Sequence, residues 1–155
     1  MATEIERKFL VIDDSWKQNI HRSVSIIQGY LANTERGSIR VRIADDRASL
    51  NIKSMTYGIT RTEFEYSIPF DDAEKLMHDF CMQPLIEKVR YFIRKDNHTW
   101  EIDVFEGANS GLVIAEIELT DTEETFRKPD WAGADVSEDP RYYNISLLAH
   151  PYTSW

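Results

Sequence analysis

Eight segments of this 155-residue chain alternate apolar and charged residues with a period of two. A helix cannot satisfy that spacing; a strand does so by sending successive side chains to opposite faces. The opening Thr3-Glu4-Ile5-Glu6-Arg7-Lys8-Phe9-Leu10-Val11 sets the pattern. Glu4, Glu6 and Lys8 share one face, and Ile5, Phe9 and Val11 share the other. Two carboxylates about 7 Å apart along one strand, followed by an ammonium, suit a metal–phosphate site better than a solvent face.

Strands are expected over 3–11, 24–32, 38–44, 48–55, 60–68, 85–95, 98–106 and 112–120. Asp45-Asp46 and Asp96-Asn97 are hairpin turn signals, and Tyr57-Gly58 serves the same purpose before the fifth strand. Pro69-Phe70-Asp71-Asp72 stops that strand and starts a helix from Asp71 to Cys81, capped by Asp71 or Asp72, with Ala73, Leu76, Met77 and Phe80 on one stripe. A helical turn is expected over Glu123–Phe126. A last helix is expected between Ser137 and His150, making contact through Tyr143, Leu147 and Leu148. Asn19–His21 and Pro129–Asp135 read as loops. Eight strands in mainly hairpin order predict a mainly β (α+β) protein, an eight-stranded antiparallel closed β-barrel with a few flanking helices, in a single domain over 1–155.

Composition closes off several functions. A formal net charge of −9 argues against nucleic acid, whose binding rests on Lys and Arg neutralising phosphates. It leaves room for a small polyanion held by a local basic cluster. No apolar run approaches the ~18 residues of a membrane span, and the N-terminus is acidic, so neither a membrane segment nor a signal peptide is expected and the expected compartment is the cytoplasm. The single cysteine, Cys81, excludes an internal disulfide and reads as buried packing. His21, His78, His98 and His150 lack metal-ligand spacing.

The charged faces carry the functional signal. Arg40 and Arg42 oppose Ile39, Val41 and Ile43; Asn51 and Lys53 oppose Leu50 and Ile52. Arg61, Glu63 and Glu65 oppose Thr62, Phe64 and Tyr66, and Lys88, Arg90 and Arg94 oppose Val89, Tyr91 and Ile93. Glu101 and Asp103 oppose Trp100, Ile102 and Val104, and Glu116 and Glu118 oppose Val113, Ala115 and Ile117. A wet sheet mixes charge with Thr, Ser and Gln. These faces are nearly all ionic, and the signs are segregated by strand. Turned into a barrel, they would hold about eight groups of each sign, each costing several kcal/mol to desolvate unless partnered. Carboxylates take a hard divalent cation, while Arg and Lys clamp phosphate oxygens. Mg²⁺ or Mn²⁺ with an oligophosphate fits both.

The motifs Glu4-x-Glu6-x-Lys8, Arg40-x-Arg42, Lys53, Arg61-x-Glu63-x-Glu65, Lys88-x-Arg90, Trp100-Glu101-Ile102-Asp103 and Glu116-x-Glu118 stand in the order of the CYTH-domain, triphosphate tunnel metalloenzyme superfamily, and the chain resembles its short bacterial members. The C-terminal Glu138-Asp139-Pro140-Arg141-Tyr142-Tyr143-Asn144 resembles the segment leading into a helix that plugs one tunnel mouth. The resemblance implies a tunnel that binds a linear triphosphate. It implies metal ligation by Glu4, Glu6, Asp103, Glu116 and Glu118, and phosphate binding by Lys8, Arg40, Arg42, Lys53, Lys88 and Arg90 with Arg61 and Arg94 as helpers. Glu63 and Glu65 would orient a water. Tyr30 could face Lys8 and join it in proton transfer, or could be a core aromatic.

The expected reaction is metal-dependent hydrolysis of inorganic tripolyphosphate to pyrophosphate and phosphate. The alternatives are a class IV adenylate cyclase, a thiamine triphosphatase (with Trp100 or Trp131 against the thiazolium) and a polyphosphate- or nucleotide-binding module without turnover. The substrate is the expected small-molecule partner. Tyr142, Tyr143, Tyr152 and Trp155 would cover a tunnel mouth or face the second copy of a homodimer.

Overall fold

The computed structural model describes residues 1–56 and 58–155. Nine strands follow one another: β1 (Ala2–Val11), β2 (Ile20–Thr34), β3 (Gly37–Ala44), β4 (Arg47–Ser54), β5 (Thr60–Ser67), β6 (Ile86–Lys95), β7 (His98–Phe105), β8 (Val113–Leu119) and β9 (Ala132–Asp135). Helix α1 (Phe70–Asp79) lies between β5 and β6, and α2 (Asn144–Ala149) follows β9. The first eight strands pair in the order β5-β4-β3-β2-β6-β7-β8-β1, and β1 closes onto β5, giving an antiparallel barrel. The expected eight-stranded barrel is what forms.

The barrel is inverted relative to an apolar-cored one: the charged faces turn inward and the apolar faces outward. The hydrophobic core is therefore draped around the outside. On one side Ala73 and Met77 of α1, with Cys81, pack against Val41, Ile43 and Ala48. On the other, Trp16, Trp131 and Ala132 cover Phe9, Trp100, Ile102, Ala115 and Ile117. Each fully buried large side chain contributes roughly 1.5–3 kcal/mol relative to exposure. Gly29 in mid-β2 is explained by this layer, since a Cβ there would lie 2.7 Å from Cys81 Sγ. Cys81 is buried packing.

At one end the inner face turns apolar. Leu10, Ile86, Phe105 and Ile114 follow Lys8, Lys88, Asp103 and Glu116 in alternation on their strands, and Leu147 of α2 is fully buried against them. Helix α2 thus plugs the half of the mouth made by β6, β7, β8 and β1.

Several expectations are corrected. Pro129–Asp135 contains β9, because β5 pairs only with Ala2–Ile5 and leaves the far half of β1 needing backbone partners. Val136 N–H also donates to the Lys8 carbonyl at 2.8 Å. Asn19–His21 is not a loop: a 3-10 turn over Ser15–Asn19 buries Trp16, and β2 starts at Ile20. No helical turn forms over Glu123–Phe126. Instead Phe126 packs against both Phe9 and Trp100, with ring centroids 6.0 and 5.8 Å away, in a segment without regular secondary structure.

The final helix shrinks to Asn144–Ala149 behind a separate 3-10 turn over Pro140–Tyr142, whose first N–H is taken by the Asp139 side chain. Helix α1 starts one residue early, and Pro69 rather than Asp71 or Asp72 is its cap residue. The two aspartates sit in the first turn, where they complement the helix dipole. Phe80 lies beyond α1 and is exposed. Gly58 has a φ of 59° in the β4–β5 turn; Tyr57, read with it as a turn signal, lies outside the described residues.

Candidate active site

The lumen is a cavity of about 220 Å³ lined almost wholly by charged side chains. Of the residues expected at the site, Glu4, Glu6, Arg40, Arg42, Lys53, Arg61, Glu63, Glu65, Arg90, Glu116 and Glu118 line it. Period-two alternation puts them there, since one parity on each strand faces in. Lys8 lines the adjoining mouth cavity, of about 490 Å³.

The walls differ in how their charges are matched. On β6 and β7, Lys88 Nζ donates to Asp103 Oδ2 at 2.7 Å, and Arg90 grips the same carboxylate through Nε at 2.7 Å and a second nitrogen at 2.9 Å. Both Asp103 oxygens are thereby taken by cations, and Lys88 and Asp103 lie in the wall rather than on the lumen surface. Arg90 reaches on to Glu101 at 2.8 Å and Glu116 at 3.6 Å. Across β1, β4 and β5, Glu4 accepts from Lys53 at 3.1 Å and Arg61 at 2.9 Å. Lys8 stands 3.7 Å from Glu116.

On β3 the pattern breaks. Among the described residues neither Arg40 nor Arg42 has a carboxylate within ion-pairing distance. Arg42 donates twice to Gln28 Oε1, at 3.2 and 2.9 Å. Arg40 has only the Ser38 hydroxyl at 3.4 Å and the face of Tyr30, 5.0 Å from the ring centroid. Tyr30 is completely buried and its hydroxyl has no protein partner.

Proton affinities divide accordingly. Burial pushes the Glu4 carboxyl up, but Lys53 and Arg61 outweigh it and hold it well below the usual carboxylate range. For Asp103 burial is likewise outweighed by Arg90 and Lys88. Glu6 goes the other way: burial and the neighbouring Glu116 push it up to about 8. Glu118 is raised by burial, then by Glu4 and Glu63, and Glu101 by burial against the pull of Arg90. Burial draws Lys53 and Lys88 each down to about 8. The lumen holds more carboxylates than its five lining cations satisfy, and crowded, partly uncompensated carboxylates are a donor set for a hard cation. No three His, Cys, Asp or Glu side chains among the described residues enclose an ion unaided.

Besides Lys88 and Asp103, Arg94, Trp100 and Trp131 do not line the lumen. Arg94 is exposed near the end of β6, opposite Thr99. Trp100 and Trp131 are buried outside the barrel, edge to face at 5.4 Å, so neither can meet a ligand in the lumen. Glu101, Gln28 and Asn144 were missed as site residues. Glu101 shares the parity of Asp103, and Gln28 that of Tyr30, so both were within reach of the alternation. For Asn144 no periodic signal existed.

The family model for the CYTH domain matches residues 2–152. The chain belongs to the CYTH domain family. An inorganic triphosphatase of Acetivibrio thermocellus is 44% identical over all 155 residues and 99% of its own length. An inorganic triphosphatase of Nitrosomonas europaea is 35% identical over 149 residues, which cover 94% of this chain and 96% of the relative. Among solved structures, a crystal structure of an inorganic triphosphatase aligns with a TM-score of 0.67 at 33% identity, covering 96% of this chain and 95% of that one.

Proposed function

We propose that this CYTH protein hydrolyses a linear inorganic triphosphate to pyrophosphate and orthophosphate with the aid of Mg²⁺ or Mn²⁺. The observation that carries the reading is the β3 wall: Arg40 and Arg42, held in place by neutral partners, face the polar lumen with no carboxylate within ion-pairing distance among the described residues. Guanidinium groups so placed are clamps for phosphate oxygens. The two inorganic triphosphatase relatives, matched over nearly their whole length, support the same substrate class.

Lys53, Arg61 and Arg90 complete the phosphate-binding set from the other walls, with Lys8 at the mouth side. Glu4, Glu6, Glu116 and Glu118 would hold the metal, which supplies charge neutralisation for the phosphoryl group being transferred. Asp103 acts differently: its two oxygens fix Lys88 and Arg90, so it positions cations. Glu63, which accepts from Asn51 at 3.4 Å, and Glu65 lie in the lumen wall and orient the attacking water. Tyr30 supports Arg40 from below through its ring.

The test is phosphate release from tripolyphosphate, ATP and thiamine triphosphate with Mg²⁺, Mn²⁺ or EDTA, on wild type and Glu4→Gln. Release that is fastest with tripolyphosphate, absent in EDTA and lost in Glu4→Gln is expected. Cyclic AMP formed from Mg-ATP, or faster turnover of an organic triphosphate, overturns the reading.

A further inference from the structure

Among the described residues, lumen and mouth cavity meet at a collar of four that line both: Glu6 from β1, Arg40 from β3, Arg61 from β5 and Asn144 from α2. Asn144 is the only neutral member and the only one from outside the barrel. Its position follows from the plug. Leu147 is anchored on the apolar floor, and a residue three positions earlier projects from the same side of a helix. Tyr143, next to it, places its ring 5.6 Å from Lys8 Nζ and donates its hydroxyl to the Ser137 carbonyl at 3.3 Å. The Asn144 carboxamide is thereby held at the collar, where its Oδ1 is buried and has no protein partner. Leaving a buried amide oxygen unpaired costs about 1–3 kcal/mol, and such an atom calls for an explanation. A half-turn about the last torsion exchanges Oδ1 for the Nδ2 donor with little change of shape, so one side chain serves water or a phosphate oxygen.

The two compartments differ beyond the collar. On the lumen side the walls are ionic. On the mouth side, away from the collar, they are largely neutral, with Asn33, Ser38, Ser54 and Thr56 among them. A phosphate unit that passes Asn144 therefore gives up guanidinium partners for hydroxyls and amides, with Lys8 the one cation among the described residues lining that side away from the collar.

We propose that Asn144 sets the length of polyphosphate this protein accepts, by narrowing the mouth-side end of the lumen and hydrogen-bonding the terminal phosphate that reaches the collar. The inference rests on the triphosphate reading above and adds a specificity determinant carried by the plug. A fourth phosphate unit must push past this side chain, so the carboxamide favours three units over four.

Calorimetric titration of inorganic tripolyphosphate and tetrapolyphosphate into the protein in EDTA, where no turnover intervenes, tests it on wild type, Asn144→Ala and Asn144→Asp, with thermal melts alongside. Asn144→Ala is expected to weaken tripolyphosphate about tenfold, the scale of a hydrogen bond to a charged group. It should leave tetrapolyphosphate within about threefold, shifting the ratio toward the longer chain. Asn144→Asp keeps the shape and brings a carboxylate to the phosphate, so it should weaken both anions more than tenfold, and it reads the same contact if the alanine variant does not fold. An unchanged ratio in a folded Asn144→Ala protein, or a lowered melting temperature with unaltered affinities, overturns the proposal and leaves the triphosphate reading intact. Wild type that binds neither anion overturns both.

Discussion

The β6–β7 wall and the β3 wall carry the same kind of sequence and end in opposite electrostatic states. Lys88 and Arg90 converge on Asp103, directly across the ladder from Arg90. Arg40 and Arg42 meet across their ladders Tyr30, Asn51, Gln28 and Ser49, all neutral. The first wall is internally satisfied. The second offers charge to whatever enters. The partner strand thus decides whether a basic pair is structure or binding surface.

That contrast can be broken most forcefully at Asp103. Asp103→Ala strands Lys88 and Arg90 in a buried wall, and breaking such a pair costs about 3–5 kcal/mol. At about 2–4 °C per kcal/mol for a chain of this size, a melting temperature about 10 °C lower is expected. A wild-type melt would show that this wall is not held by its ion pairs.

The converse experiment is Arg42→Ala. Among the described residues no carboxylate forms an ion pair with it, so metal-free thermal stability should hold or rise through reduced repulsion from Arg40. Tripolyphosphate KM should increase about 10- to 100-fold, the loss of a charge-assisted contact of about 1.5–3 kcal/mol. Loss of folding instead would make β3 as structural as β6–β7.

A third variant sharpens the comparison along β6 itself. Arg94 shares the inward parity of Lys88 and Arg90 but is exposed at the strand's end, so Arg94→Ala should leave tripolyphosphate kcat and KM within about twofold, as an exposed charge outside the lumen predicts.

The smallest effect belongs to an ion pair on the outer surface. Asp135 accepts from Arg7 at 2.6 Å, and both side chains are about a third exposed or more, at 32% and 40%. Burial opposes its ionisation, but Ser137 and Arg7 outweigh it and hold the carboxyl below its usual value. A depressed folded value means that stability is present above the unfolded value near 3.9 and is lost as pH falls through the folded one. Asp135→Asn should therefore cost less than about 1 kcal/mol at pH 7, and the difference from wild type in denaturant melts should vanish toward pH 2.

Most of the barrel was legible because period-two alternation is a local signal repeated on every strand. The parity of Glu4, Arg40, Arg61, Glu101 and Glu116 fixed a common face before any pairing was known. What escaped depended on distant contacts. β9 is four residues of Ala and Gly with Asp, too short for a periodic signature, and it is a strand because β1 needs a partner there. Phe126 reads as a helical residue until Phe9 and Trp100 are seen to pack against it. Asn144 belongs to the site only because Leu147, three residues on, is seated on a floor built by four other elements.

By itself the sequence determined the eight barrel strands with their ionic faces and a surplus of carboxylates, because alternation and composition are properties of neighbouring residues; the order of its motifs carried the resemblance to the CYTH family. Tertiary structure alone decided which charges neutralise one another, which arginines stay available, and how the plug narrows the lumen, because each depends on register between strands and on a helix docked from the far end of the chain.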